Sequence, residues 1–458
     1  MTLDPSSVEL LKRLEHFGIR LGLDTTHQVL CSLGNPEAHL PAVLVAGTNG
    51  KGSTAVQLAS MIAAGGYRTG LYTSPHLEDL TERIRLDGKA VSAELFSATL
   101  ARVAEKAEQA LGHLPTYFEA VTATAFLIFA EEEVDLAVME VGLGGRLDAT
   151  NACQPSLSLI TEIGLEHREY LGERLSSIAR EKAGILRPGC PAWAWVERDE
   201  AWEAIRSVGA EVGADLRRGP EAARLIETTQ QGWAGQAVEL ETSLDRYLVR
   251  TPLLGAHQVK NLALAILGAE SLRGLGWSRI DRQAIEQGAR STLWPGRLER
   301  VELPGGRTVI LDVAHNADGA ATLVSFLNDF VGRFDLIFGV LADKEVSTFL
   351  PSLARGAERV ILTSPTSSRS MATDRLAPLL ADREVLTESD PVAALTRGLE
   401  EGDAPLVICG SVYLVGEMRL EIRRRFGMPE PAAEQLCWSL QALESPSPGD
   451  VEGQVVCS

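Results

Sequence analysis

The stretch at residues 44–54, "LVAGTNGKGST", constrains the fold of this chain more than any other feature. An apolar run ends in glycine, polar residues and a lysine follow, and a helix-forming segment begins at once. A strand that turns through a glycine-rich loop into a helix belongs in a parallel sheet, because the helix must carry the chain back before the next strand can pair. Such a turn also exposes backbone N–H groups and the positive end of the helix dipole, which together cradle phosphate oxygens. One detail departs from the ordinary phosphate loop, G-x-x-x-x-G-K-[ST]. Lys51 is followed by Gly52, and the hydroxyl of Ser53 comes one place late.

The rest of the chain continues the alternation. "AVLVAG", "RTGLYT", "VDLAVMEVG" and "SLSLIT" read as strands, with a helix over 53–64. A second series begins near Arg307 with "TVILDVA", "DLIFGVL", "RVILTSP" and "PLVICG". Short apolar strands separated by helices predict an α/β fold of mostly parallel sheets covered on both faces. Between the series, Trp-Pro-Gly in "STLWPGRLER" is a sharp break suited to a linker, which places the boundary near 295–297. The first forty residues read as an amphipathic helix followed by a loop. At 458 residues two domains are expected. Residues 429–458 carry five acids and no Lys or Arg, so a disordered acidic tail is expected there, with one short docking helix through Leu436, Leu440 and Leu443.

Lys+Arg 43 against Asp+Glu 62 leave a net charge of −19, which argues against a general affinity for nucleic acid or anionic membrane. There is neither a secretory leader pattern nor an apolar run long enough to span a bilayer, and the six cysteines lack metal-type spacing. The chain is therefore expected to be cytoplasmic with reduced thiols.

Ligands of open parallel sheets sit beyond the carboxyl ends of the strands. Ser74, Glu140 and His167 follow successive strands and should line one edge. A hydroxyl and a carboxylate suit Mg²⁺, whereas imidazole prefers softer metals, so His167 taken alone reads as a structural histidine. Lys182 stands near the end of a helix stopped by Gly184, where its charge meets the helix dipole. His257 and Asn261 share one face at the start of a helix; an exposed face is the default, but the pair is placed to reach a nucleotide. Asp312 and His315 close a strand of the second series, and Arg297 at the junction suits a bidentate grip on phosphate. Two domains facing across such a cleft could close and exclude water from an activated intermediate.

Together these motifs resemble the folylpolyglutamate synthases and bifunctional dihydrofolate/folylpolyglutamate synthases of the Mur ligase superfamily. The likeness runs from about residue 20 to residue 420, through "LGNP", "VAGTNGKGST", "TSPHLEDLTERIRLDG", "TYFEAVTATAF", "EVGLGGRLDATN", "EKAGI", "WPGRLE", "LDVAHN" and "GSVYLVGE". It implies a phosphate-loop domain over 1–296 with the folate site, a smaller Rossmann-like glutamate ligase domain over 297–428, and the tail beyond. The implied reaction joins L-glutamate to dihydropteroate, to folate or to both, through an acyl phosphate made from ATP, in a monomer whose partners are small molecules alone.

The resemblance also implies roles. Thr48, Asn49, Gly50, Lys51, Gly52, Ser53, Asn261, Arg297 and Asp312 would hold ATP, with His315 beside them in a catalytic role. Ser53, Ser74, Glu140 and His167 would hold Mg²⁺, two ions being expected, and Lys182 matches the family's carbamylated lysine, which serves the second. Thr116, Tyr117, Phe118, Glu119, Leu147, Asp148 and Ala149 would face the pterin, and "TYFE" favours the bifunctional form. Glu166 stands where aspartate is frequent, and Ala317 where proline is common. A UDP-muramoyl amino-acid ligase is the rival within the superfamily, although those relatives typically read G-K-T-T at the loop and lack "LGNP" and "TYFE". A nucleotide-switched binding protein of GTPase type would need N-K-x-D, and no asparagine here precedes lysine.

Overall fold

The computed structural model describes residues 3–427 apart from 16, 17 and 19. The expected tail and its short helix lie outside the described residues.

Among the described residues the strands form three sheets. The first contains β1 (Ala42–Ala46), β2 (Thr69–Tyr72), β3 (Ile84–Leu86), β4 (Lys89–Ala90), β5 (Leu136–Glu140), β6 (Pro155–Ile160), β7 (Pro191–Ala194) and β8 (Asp215–Arg218). Its order is β4-β3-β2-β5-β1-β6-β7-β8, parallel from β2 to β8 with β3 and β4 antiparallel at one edge. Every residue of β1 is buried. Ala42, Leu44 and Ala46 pack into one core, and Val43 and Val45 into the core on the opposite face. Helices cover both faces, and that double burial is why the strand sequence is continuously apolar instead of alternating.

A small antiparallel sheet follows, β9 (Arg224–Gln230), β10 (Gln236–Glu241) and β11 (Arg246–Thr251), in the order β11-β10-β9. The sequence reading did not anticipate it. Its inward residues Val238, Leu240, Tyr247 and Val249 extend the core that holds Val43 and Val45. The last sheet contains β12 (Glu299–Glu302), β13 (Thr308–Leu311), β14 (Phe334–Phe338), β15 (Ala357–Leu362), β16 (Leu386–Thr387) and β17 (Leu406–Cys409). Its order is β12-β13-β17-β14-β15-β16, with only β12 antiparallel.

Two local expectations change. The segment expected to be a loop before residue 40 contains a helix, Asp24–Ser32, because Thr26, Val29 and Leu30 fall on one buried face. The helix after the glycine-rich loop is Lys51–Ala64, two residues longer at its start than expected.

Two junctions outside the linker hold the sheets together. The C-terminal helix Val412–Phe426 brings buried Arg419 between Glu78 of the first unit and Glu299, and Arg423 reaches the same Glu78. Across the molecule, Arg168 pairs with Glu345 at 2.9 Å and Arg198 with Asp318 at 3.0 Å. Removing one partner from the buried Glu78 cluster would strand a charge in a desolvated place, whereas the two exposed pairs contribute little.

Candidate active site

The carboxyl ends of the two large sheets face one another across a cleft of about 540 Å³. Loops after β1, β2, β5, β6 and β7 line one side, and loops after β13, β14, β15 and β17 line the other. In the first sheet β1 lies between β5 and β6, the crossover point at which parallel sheets open a crevice.

The glycine-rich loop enters this crevice. Gly50 adopts a left-handed conformation at φ 92°, with the Asn261 side chain where a Cβ would stand, so glycine is required there. No side chain caps the helix Lys51–Ala64, which leaves its first N–H groups free for an anion. Lys51 is not a solvated lysine: its Nζ donates to the Thr48 carbonyl at 3.0 Å. The Thr48 hydroxyl is already engaged, donating to the Gly164 carbonyl at 3.1 Å and accepting from the Gly164 N–H at 3.0 Å.

Ser53 is held by a residue that sequence reasoning missed. Gln258, buried on the helix Ala256–Gly274, donates through Nε2 to the Ser53 hydroxyl at 3.2 Å. Its Oε1 accepts from Asn261 Nδ2 at 3.1 Å, which fixes the orientation of the amide. His257 and Asn261 therefore line the cleft instead of forming an exposed face. Gln258 follows His257 directly and lies one turn before Asn261, and that proximity was the only sequence signal for it.

Ser74, Glu140 and His167 all border the cleft. Glu140 is buried and accepts from the Ser74 N–H at 3.0 Å. Burial raises its pKa above the ordinary carboxylate value against the opposing pull of Lys51. His167 sits at φ 51°, an uncommon backbone state for a non-glycine residue. Burial pushes its imidazole down to about 4, so the ring is neutral at pH 7. Among the described residues no three His, Cys, Asp or Glu side chains gather to hold a metal. The donors here are two hydroxyls, one carboxylate and one neutral imidazole, which suit a hard cation that takes its remaining ligands from phosphate and water.

Lys182 is not among the residues bordering the cleft, and it does not serve its own helix end. Its buried Nζ donates to the Gly47 carbonyl of the glycine-rich loop at 2.6 Å. Burial, reinforced by Lys51, lowers this amine from 10.5 to about 7.

From the last sheet, Asp312 accepts from the Leu298 and Ala314 N–H groups, each at 2.9 Å. Burial raises its pKa, against Arg297. Arg297 is half-buried, and burial lowers its pKa against the pull of Asp312 and Glu140. His315 meets the Val313 carbonyl through Nδ1 at 2.8 Å and Glu166 through Nε2 at 3.2 Å. Both partners are acceptors, so satisfying both requires a proton on each ring nitrogen. Lys344 also reaches Glu166, at 3.1 Å. Burial works to raise the Glu166 pKa, but His315 and Lys344 hold it well below the usual range. Asn49 and Asn316 bridge the two sides as well, with Asn316 donating at 3.0 Å.

None of the seven residues expected at the pterin borders this cleft. Thr116 and Glu119 cap their own helix, and Asp148 spends its oxygens on the N–H groups of Gly142, Leu143 and Thr150 and on the Thr150 hydroxyl. Ala149 is buried, while Tyr117, Phe118 and Leu147 are half-exposed. The Phe118 ring lies against Gly142, which does border the cleft.

Residues 45–269 match the Mur ligase middle domain, and residues 296–412 match the Mur ligase glutamate ligase domain. The chain is similar to the dihydrofolate synthase/folylpolyglutamate synthase of Bacillus subtilis, 34% identical over 417 residues that cover 89% of this chain and 96% of that protein. It is also similar to a probable bifunctional folylpolyglutamate synthase/dihydropteroate synthase of Haloferax volcanii, 35% identical over 90% of this chain, which spans 50% of that longer protein. Among solved structures it resembles E. coli FolC in complex with DHPP and ADP, with a TM-score of 0.80, 30% identity and coverage of 92% of this chain and 98% of that one.

Proposed function

Since the chain belongs to the dihydrofolate synthase/folylpolyglutamate synthase family of Mur ligases, ATP-dependent acid–amino-acid ligases, we propose that it adds L-glutamate to dihydropteroate, to reduced folate, or to both. One observation carries this reading: the uncapped phosphate loop and the Asp312–His315 segment, from different sheets, border one cleft together with Lys51 and Arg297.

A carboxylate is a poor acyl donor, and transfer of the γ-phosphoryl group of ATP turns one of its oxygens into a good leaving group. The glutamate amine then attacks the acyl carbon, a tetrahedral intermediate collapses, and phosphate departs with ADP as the other product. The protein's work is positioning and charge neutralisation. Loop N–H groups and Lys51 take the β and γ phosphates, Arg297 grips a phosphate from the linker, and Asn261 and Asp312 hold the rest of the nucleotide. His315, held between the Val313 carbonyl and Glu166, would meet charge developing on the far side of the acyl group.

The oxygens of Ser53, Ser74 and Glu140, with neutral His167, are where Mg²⁺ would sit. It would neutralise phosphate charge and polarise the transferred group. The neutral form of Lys182 can attack carbon dioxide, forming an N–C bond and releasing a proton to solvent. That converts a buried cation into a carbamate anion suited to a second Mg²⁺. The pterin would lie behind Gly142 against Tyr117 and Phe118, with Thr116, Glu119, Leu147, Asp148 and Ala149 building that wall. The net charge of −19 supports small-molecule partners over nucleic acid, and four free thiols among the described residues suit a reducing cytoplasm. We read the chain as a monomer.

The test is ATP-dependent glutamate addition measured side by side on dihydropteroate, tetrahydrofolate and a UDP-muramoyl acceptor. Incorporation into either pterin acceptor is expected. Incorporation into the UDP-linked acceptor alone would overturn the reading.

A further inference from the structure

We propose that Trp294 is a positioning residue for the phosphate loop. It closes the space at position 52, sets the loop's hydroxyl at Ser53, and ties the loop to the linker that delivers Arg297. The proposal rests on the reading that ATP occupies this loop.

The observation is steric. A Cβ built on Gly52 would stand 2.9 Å from Trp294 Cζ2, 3.4 Å from Cε2 and 3.3 Å from Glu140 Oε2. Carbon atoms do not tolerate the first of these distances, so any side chain at 52 must displace the indole or the carboxylate. Neither is free to retreat. Trp294 packs against the core formed with Val43, Val45 and Val56, and the Arg85 guanidinium lies 5.9 Å from the centre of its ring. The residue that follows is Pro295, which restricts the backbone that carries the ring. Glu140 is buried with its Oε2 already accepting from the Ser74 N–H. A hydroxyl directly after Lys51, as an ordinary phosphate loop would have, does not fit. The next position does fit, because Ser53 meets Gln258 instead of an aromatic ring.

The linker extends the consequence. Trp294 lies three residues before Arg297, and between them the Gly296 carbonyl accepts from the Val313 N–H at 3.0 Å. One short segment therefore touches the first turn of the loop helix at one end and the loop just after β13 of the last sheet at the other. Among the described residues the indole Nε1 has no acceptor, so packing rather than hydrogen bonding seats the ring. Fixing Gly52 against Trp294 fixes where Arg297 can stand relative to Lys51.

The test compares Gly52→Ala, Trp294→Phe and the double variant with the native chain. Equilibrium ADP binding is measured alongside KM for ATP and kcat for glutamate addition. Gly52→Ala overfills the contact and should weaken ADP binding roughly tenfold, raising KM for ATP more than it lowers kcat. The smaller phenyl ring should relieve the clash, so the double variant should bind ADP several-fold better than Gly52→Ala alone, a non-additive recovery that a general loss of stability would not produce. Native affinity in Gly52→Ala, or no recovery in the double variant, would overturn the proposal. Should Gly52→Ala fail to fold, folding of the double variant supports the contact and failure of both counts against it. A native chain that binds ADP yet adds no glutamate would sink the ligase reading and leave the loop contact standing.

Discussion

Replacing Lys182 with methionine is expected to stabilise the fold at neutral pH while abolishing turnover. Burial and the nearby Lys51 depress the Lys182 amine from 10.5 to about 7. The sign follows from proton counts: between pH 7 and 10.5 the unfolded chain keeps a proton that the folded chain has shed. The native chain therefore gains stability relative to the methionine variant as pH rises through that window, and below it the penalty of the buried charge is full. Each pH step is worth about 1.4 kcal/mol, so the stability gap should narrow by about 3 kcal/mol between pH 7 and 9.5. Urea unfolding of both chains at stepped pH, in buffer free of carbon dioxide, measures it. Gaps that stay constant across the window would refute the buried-amine argument. At pH 7 about half of such an amine is neutral, against roughly one part in 3,000 for an ordinary lysine, which enriches the form that reacts with carbon dioxide about a thousandfold. Added bicarbonate should accordingly raise native activity without helping the methionine variant, and short carboxylates should partly restore Lys182→Ala.

Glu140→Ala should cut Mg²⁺-dependent turnover by about 10²-fold or more, read as kcat over a magnesium titration, and full activity at saturating magnesium would discard the metal assignment. Gln258→Leu leaves Asn261 and Ser53 without their shared partner and should raise KM for ATP about tenfold with a smaller change in kcat; an unchanged KM would remove the positioning role of the amide. Glu166→Gln weakens the bonds to His315 and Lys344 across the cleft and should lower kcat/KM for glutamate addition about tenfold, a loss that Glu166→Asp should not fully reproduce if the carboxylate is the working group.

The strand–loop–helix at 42–64 was readable because each of its parts is local: continuous apolar residues for a strand buried on both faces, then glycines, then helix formers. The four strands of the second series were readable for the same reason. The small sheet of β9 to β11 was not, since its alternation, as in "RYLVRT", is weak, and its buried side chains find their partners in a core built from distant β1. Asp24–Ser32 was missed because its apolar stripe is short and surrounded by turn-forming residues. Within the site, the motifs named Lys51, Glu140 and His167. No spacing announced that Glu166 would join His315 and Lys344 from the opposite sheet, residues 149 and 178 positions away.

By itself the sequence determined the strand, glycine-rich loop and helix at 42–64, the alternating α/β order and the family resemblance, because each is written in neighbouring residues or in motif order. The tertiary structure alone decided that Lys182 is buried beneath the loop instead of lying at a solvated helix end. It also decided that Gln258 grips Ser53, and that Thr116, Glu119 and Asp148 spend their polar groups on the chain itself. These are properties of which atoms meet and how much water is left between them. Desolvation turns a lysine into an amine near neutrality, and an indole packed against Gly52 leaves the hydroxyl of the loop one place late.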